Sequence, residues 1–151
     1  QVTSLLAGLF STEQATCALV VAPKSVMRGW EAELQEWLVK ASCPAVQVVV
    51  LAHDMSTAKR KRVICQAMEG GDMDGGAVVV TSYGMVSARR EHFAPLGKDH
   101  KWDYVILDEG HKIKNRSTRT PIQNNMKELH TVVDWVTSGR LFGPYDHFKK
   151  T

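Results

Sequence analysis

Runs of consecutive apolar residues, too short for helices, constrain this chain most. Cys17–Ala22 (CALVVA), residues 46–51 (VQVVVL), residues 77–81 (AVVVT) and Tyr104–Leu107 (YVIL) are each four to six residues long and rich in valine. Strands without polar alternation belong to a sheet covered on both faces. The stretches between them carry helical spacing. Val2, Leu5, Leu6, Leu9 and Phe10 fall on one helix face. Ser25 is a predicted N-cap for a second helix presenting Val26, Trp30, Leu34, Trp37 and Leu38, and Pro44 ends that unit. Ser56 opens a third helix with Val63, Ile64, Ala67 and Met68 inward, stopped by Gly70-Gly71. A short helix is predicted from Tyr83, and a last one over about 126–137 with Met126, Leu129, Val133 and Val136 inward. Strands alternating with such helices predict a parallel, doubly wound α/β sheet.

Composition narrows the function classes. A 151-residue chain with 44% hydrophobic residues suits one domain with its own core, not a disordered segment. The net charge of +3 permits a polyanionic partner without requiring one. Cys17, Cys43 and Cys65 show no CxxC spacing, which argues against a disulfide framework or zinc site and for a reducing compartment. No apolar run approaches the roughly 20 residues of a membrane span, and nothing resembles a signal peptide. The chain opens directly in a helical pattern, so its natural start is expected elsewhere.

The fourth apolar run ends in Asp108-Glu109-Gly110-His111. Two carboxylates at a strand exit lie in the crevice where open α/β sheets bind ligands. In ATP-hydrolysing proteins, one acid there holds Mg²⁺ through water and its neighbour handles the attacking water. A solvated strand exit has the same pattern, and the residues around it have to decide.

They do so in combination. Val20-Val21-Ala22-Pro23-Lys24-Ser25 with Trp30, Val80-Thr81-Ser82-Tyr83, Ile106-Leu107-Asp108-Glu109-Gly110-His111 and Pro121-Ile122-Gln123-Asn124-Asn125 occur in that order. Together they resemble the first RecA-like lobe of the SWI/SNF-type helicase-like ATPases (superfamily 2), a P-loop NTPase lobe. Lys112-Ile113-Lys114-Asn115 and Ser138-Gly139-Arg140-Leu141 are most similar to the Cockayne-syndrome-B-like branch. The resemblance covers nearly the whole chain. It implies an ATP-dependent translocase on double-stranded DNA, active in chromatin remodelling or repair in the nucleus, with nucleosomes as partners and ATP and Mg²⁺ as cofactors. Asp108 would orient Mg²⁺ and Glu109 would polarise the attacking water. His111 would link the nucleotide site to Gln123 and Asn124. Pro23, Lys24, Ser25, Thr81, Ser82 and Tyr83 would touch the DNA backbone. Chemistry supports that last role independently, since strand-to-helix junctions offer free N–H groups and hydroxyls to phosphate, and Lys24 adds a charge. Without the resemblance, Ser25 as a plain cap and Lys24 as a plain solvated charge would be the preferred reading.

Two departures from the family matter. Its phosphate-gripping loop, of the GxxxxGK[ST] type, would precede Gln1 and is not in this sequence. Its further helix and buried strand before the Pro121 segment have no room, because Ser117-Thr118-Arg119-Thr120 leads straight into Pro121. The expectation is a partial RecA-like lobe over residues 1–151, lacking the phosphate-loop strand, the strand before Pro121, and the second lobe whose arginines complete the family's site. Tyr104–Leu107 would then be an unpaired edge, and the chain alone would not turn over ATP. Two other readings stay open: a catalytically dead remnant that binds DNA or protein, and an RNA helicase lobe. Gly110-His111, in place of the Ala-Asp ending of the RNA-acting box, argues against the latter. Lys59-Arg60-Lys61-Arg62 is read as a solvated helix face and Trp30 with Trp37 as core.

Overall fold

The structure, a computed structural model, describes residues 1–51, 54–69, 75–93 and 102–109. Its elements run α1 (Val2–Ser11), β1 (Cys17–Ala22), α2 (Met27–Glu33) continuing as a π-helical segment (Leu34–Lys40), β2 (Gln47–Val50), α3 (Thr57–Glu69), β3 (Ala77–Ser82), α4 (Tyr83–Ala88), α5 (Arg90–Phe93) and β4 (Tyr104–Leu107). All four strands are parallel, in the order β2-β3-β1-β4. The expected α/β sheet forms, and each apolar run becomes a strand.

Strand parity sorts the core into two layers. Cys17, Leu19 and Val21 of β1, with Ala77 and Val79 of β3, face Ile64, Ala67, Met68, Met85, Val86, Phe93 and Trp102. Ala18, Val20 and Ala22, with Val78 and Val80, face Leu6, Phe10, Met27, Leu34 and Leu38. Helices α1 and α2 therefore cover one face and α3 to α5 the other. β1 and β3 are buried along their whole length. β4 pairs with β1 alone among the described residues, and Tyr104 is 38% exposed.

Gly76 lets the chain enter β3. Its φ of +93° suits glycine, and a Cβ there would run into the Thr16 carbonyl oxygen and the Phe10 ring.

Several local expectations are corrected. Ser25 does not cap the second helix: Val26 is the N-cap in helical geometry, and its N–H already closes a turn on the Pro23 carbonyl at 3.0 Å. On α1, Val2 and Leu5 are exposed and Thr3 is buried with Leu6 and Phe10. Trp37 is 60% exposed, whereas Leu34 and Leu38 are fully buried. The cause is the π-helical segment, whose i→i+5 bonds widen each turn. Residues four apart then line up on the core side, and the residue three on from Leu34 turns outward. Arg60 is buried and donates to the Met55 carbonyl at 2.6 Å, while Lys59, Lys61 and Arg62 form the expected solvated face. Ser56 does cap α3, accepting from the Lys59 N–H at 3.3 Å. Gly70-Gly71, the helix at about 126–137 and the Pro121 segment lie outside the described residues.

Candidate functional site

The register brings three strand exits to one edge of the sheet. Ala22 pairs with Ser82 and Val21 with Leu107, so Pro23, Tyr83 and Asp108 follow side by side at the carboxyl ends of β1, β3 and β4. The Asp108 N–H extends the ladder by one bond, donating to the Val21 carbonyl at 2.9 Å. This is the edge where parallel α/β sheets take their ligands.

Asp108 is held from both layers. By parity it continues the Ile106 face, which α2 covers, and the Trp30 indole Nε1–H donates to its Oδ2 at 2.7 Å. From the other layer, the Tyr83 hydroxyl donates to its main-chain carbonyl at 2.8 Å. Burial, then the charges of Asp108 and Glu109, push the Tyr83 phenol up to about 12, so it stays a neutral donor. Glu109 follows with φ +57°, a left-handed conformation costing a side-chain-bearing residue about 1–3 kcal/mol. Such strain concentrates where a side chain must be aimed. Glu109 itself is half-buried.

On the side of β1 away from β4 is an open cleft of about 380 Å³ between the start of α2 and the ends of β2 and β3, lined by Lys24, Arg28, Glu31, Leu51 and Ser82 among others. Lys24 and Arg28 are exposed, and neither is ion-paired among the described residues. Two exposed cations lining one cleft suit a phosphate-bearing ligand.

The residues expected to contact DNA divide. Pro23 is half-buried, and Lys24 and Ser25 are exposed at the exit of β1. The Thr81 and Ser82 hydroxyls do not face outward as expected. Thr81 is fully buried by its parity with Ala77 and Val79, and its Oγ1 finds no hydrogen bond partner among the described residues. Ser82 Oγ is taken by the Met85 N–H at 3.2 Å, capping α4. The Tyr83 hydroxyl is turned to Asp108. His111, Gln123 and Asn124 lie outside the described residues. Sequence reasoning missed Trp30 and Arg28. Trp30 had a signal, since the N–H of a half-buried tryptophan needs an acceptor.

At the opposite end of β4, the Asp103 carboxylate accepts from the N–H groups of Thr16 and Cys17 at 2.8 and 3.1 Å and from the Thr16 hydroxyl at 3.1 Å. Burial raises its pKa, but these bonds outweigh that and hold it below the ordinary value. The short strand β4 is thus fastened to its neighbours by side chains at both ends.

The family model described as the SNF2-related domain matches residues 1–139. The chain belongs to the SNF2-related family. This SNF2-related domain is 32% identical to the "DNA excision repair protein ERCC-6-like" of Danio rerio, over 99% of this chain and 11% of that protein. It is 33% identical to "Protein CHROMATIN REMODELING 24" of Arabidopsis thaliana, over 99% of this chain and 15% of that protein. The chain therefore spans only a small part of these relatives. Among solved structures, the Sulfolobus solfataricus SWI2/SNF2 ATPase core domain aligns with 97% of this chain and 29% of its own, at 22% identity and a TM-score of 0.52. That likeness is one of fold, the RecA-like α/β lobe.

Proposed function

We propose that this SNF2-related domain is part of the first lobe of an ATP-driven translocase on double-stranded DNA, acting in the nucleus in chromatin remodelling or repair. The observation that carries the reading is the Asp108-Glu109 turn, held from both helical layers at the ligand-binding edge of the sheet, in a chain of this family. The names of its relatives, a DNA repair protein and a chromatin remodeller, support the same setting.

The acids fit a magnesium nucleotide. Among the described residues no group of three or more His, Cys, Asp or Glu forms a cation cage. Mg²⁺ in nucleotide sites needs none, because one or two carboxylates, water and the phosphates complete its shell. When bound, the ion would neutralise charge developing on the phosphates. Asp108 would hold it through water, with one oxygen fixed by Trp30 and the other open to that shell. Glu109, carried on a strained turn, would orient the attacking water. Lys24 and Arg28 would meet DNA phosphates, which gives affinity with little sequence preference and strong salt dependence. A second lobe would close the site and supply its arginines, and nucleosomes are the proposed substrate. A lobe that only binds DNA or protein is the second reading.

The test uses the parent protein containing the phosphate loop and both lobes. Glu109→Gln should abolish DNA-stimulated phosphate release, a loss of about 100-fold or more, with nucleotide affinity nearly intact. Asp108→Asn should weaken Mg²⁺-dependent nucleotide binding as well. Equal loss of binding in both variants would contradict the assignment. Turnover surviving Glu109→Gln would remove Glu109 from the chemistry, whereas a parent protein with no DNA-stimulated turnover would favour the second reading.

A further inference from the structure

We propose that Trp30 is a positioning residue for Asp108, fixing the carboxylate through its indole N–H so that the remaining oxygen is presented to a magnesium-nucleotide complex. The proposal rests on the reading of Asp108 given above and adds a residue to it. The bond is short, 2.7 Å from Nε1 to Oδ2, and joins residues 78 apart in sequence. Trp30 is half-buried, and it and Ile106 both pack against the core layer between α2 and the sheet. A charge-assisted bond in partly desolvated surroundings is stronger than one in water and leaves the carboxylate less rotamer freedom. Because the main chain of Asp108 is separately held by Val21 and Tyr83, Trp30 is the described contact that sets the side chain itself. Partners of this kind behind a cation-orienting carboxylate govern metal affinity more than overall fold.

The location of Trp30 adds a second property. It lies on the helix whose opening turns line the cleft with Lys24 and Arg28. A ligand that settles against those cations therefore touches the same short helix that holds Asp108.

The experiment uses the full parent protein. Trp30→Phe keeps an aromatic side chain and deletes the donor. It should raise the Mg²⁺ concentration for half-maximal nucleotide binding by about tenfold, with melting temperature and DNA affinity close to those of the parent. In the double variant Trp30→Phe, Asp108→Asn, the Mg²⁺ dependence should match that of Asp108→Asn alone, because the two residues act as one unit. A general packing role would instead make the losses add. In protein labelled with fluorotryptophan, the Trp30 fluorine resonance should move on Asp108→Asn, without any nucleotide present. That readout decides the matter if Trp30→Phe does not fold. An unchanged Mg²⁺ requirement in a folded Trp30→Phe protein, additive losses, or an unmoved resonance would each overturn the proposal. Those results leave the functional reading standing if Glu109→Gln still abolishes turnover. Failure of the Glu109 and Asp108 variants themselves would instead overturn the reading beneath it.

Discussion

Asp103 shows how much one carboxylate can organise when the backbone around it is already ordered. It ties the entrance of β4 to Thr16 and Cys17, at the end of the sheet remote from the candidate site. Because its folded pKa is lowered, the ionised form is the stabilising one. Its contribution is complete above the ordinary carboxyl value of 3.8 and is lost as pH falls through the lower folded value. Asp103→Ala should cost on the order of 1 kcal/mol near neutral pH, and the gap to the parent should close in strong acid. Urea unfolding at both pH values checks this, and a gap that widens in acid would contradict it. Neither Asp103 nor Trp30 was legible as a clamp in the sequence. Their partners lie 87 and 78 residues away, and no local pattern announces a bond between distant strands. Asp108 and Glu109 were legible because their position at a strand exit is itself local.

At the scale of elements, the apolar runs could be read directly. Strands buried on both faces need consecutive valines, and nothing in the chain competes with that signal. The second helix was harder. Ser25 resembles a cap, yet the Pro23 turn consumes the Val26 N–H and delays the helix to Met27. Beyond Glu33, an α-helical wheel puts Leu34, Trp37 and Leu38 inward together, while in the π-helical turns Leu34 and Leu38 stay there and Trp37 turns out. This makes a clear contrast. Leu34→Ala should destabilise by about 2–5 kcal/mol, and Trp37→Ala by about 0.5 kcal/mol. Denaturation monitored by circular dichroism would measure both, and a Trp37 cost equal to that of Leu34 would reject the π-helical register. The buried hydroxyl of Thr81 follows the same lesson. Its strand parity, visible in the sequence beside Ala77 and Val79, outweighed the motif that placed it at a ligand.

At the scale of the whole molecule, β2 and β4 are the outer strands among the described residues, and β4 is the one that carries the acids. Among the described residues its far edge has no partner strand, and Tyr104 is exposed there. Unpaired apolar edges recruit other chains. The 151-residue polypeptide, purified alone, should scatter light increasingly with concentration, and Tyr104→Lys should reduce that tendency. A sharp cooperative unfolding transition from a soluble monomer would show instead that residues 110–151 close the edge. The strand order also dictates when the molecule can assemble. β1 lies between two strands that both come later in the chain, β3 and β4. On the ribosome, at roughly 5–20 residues per second, β1 waits about one to five seconds with one flank bare after β3 has docked. The acids and the indole that meets them come together only when β4 arrives, so the nascent lobe acquires its candidate site last.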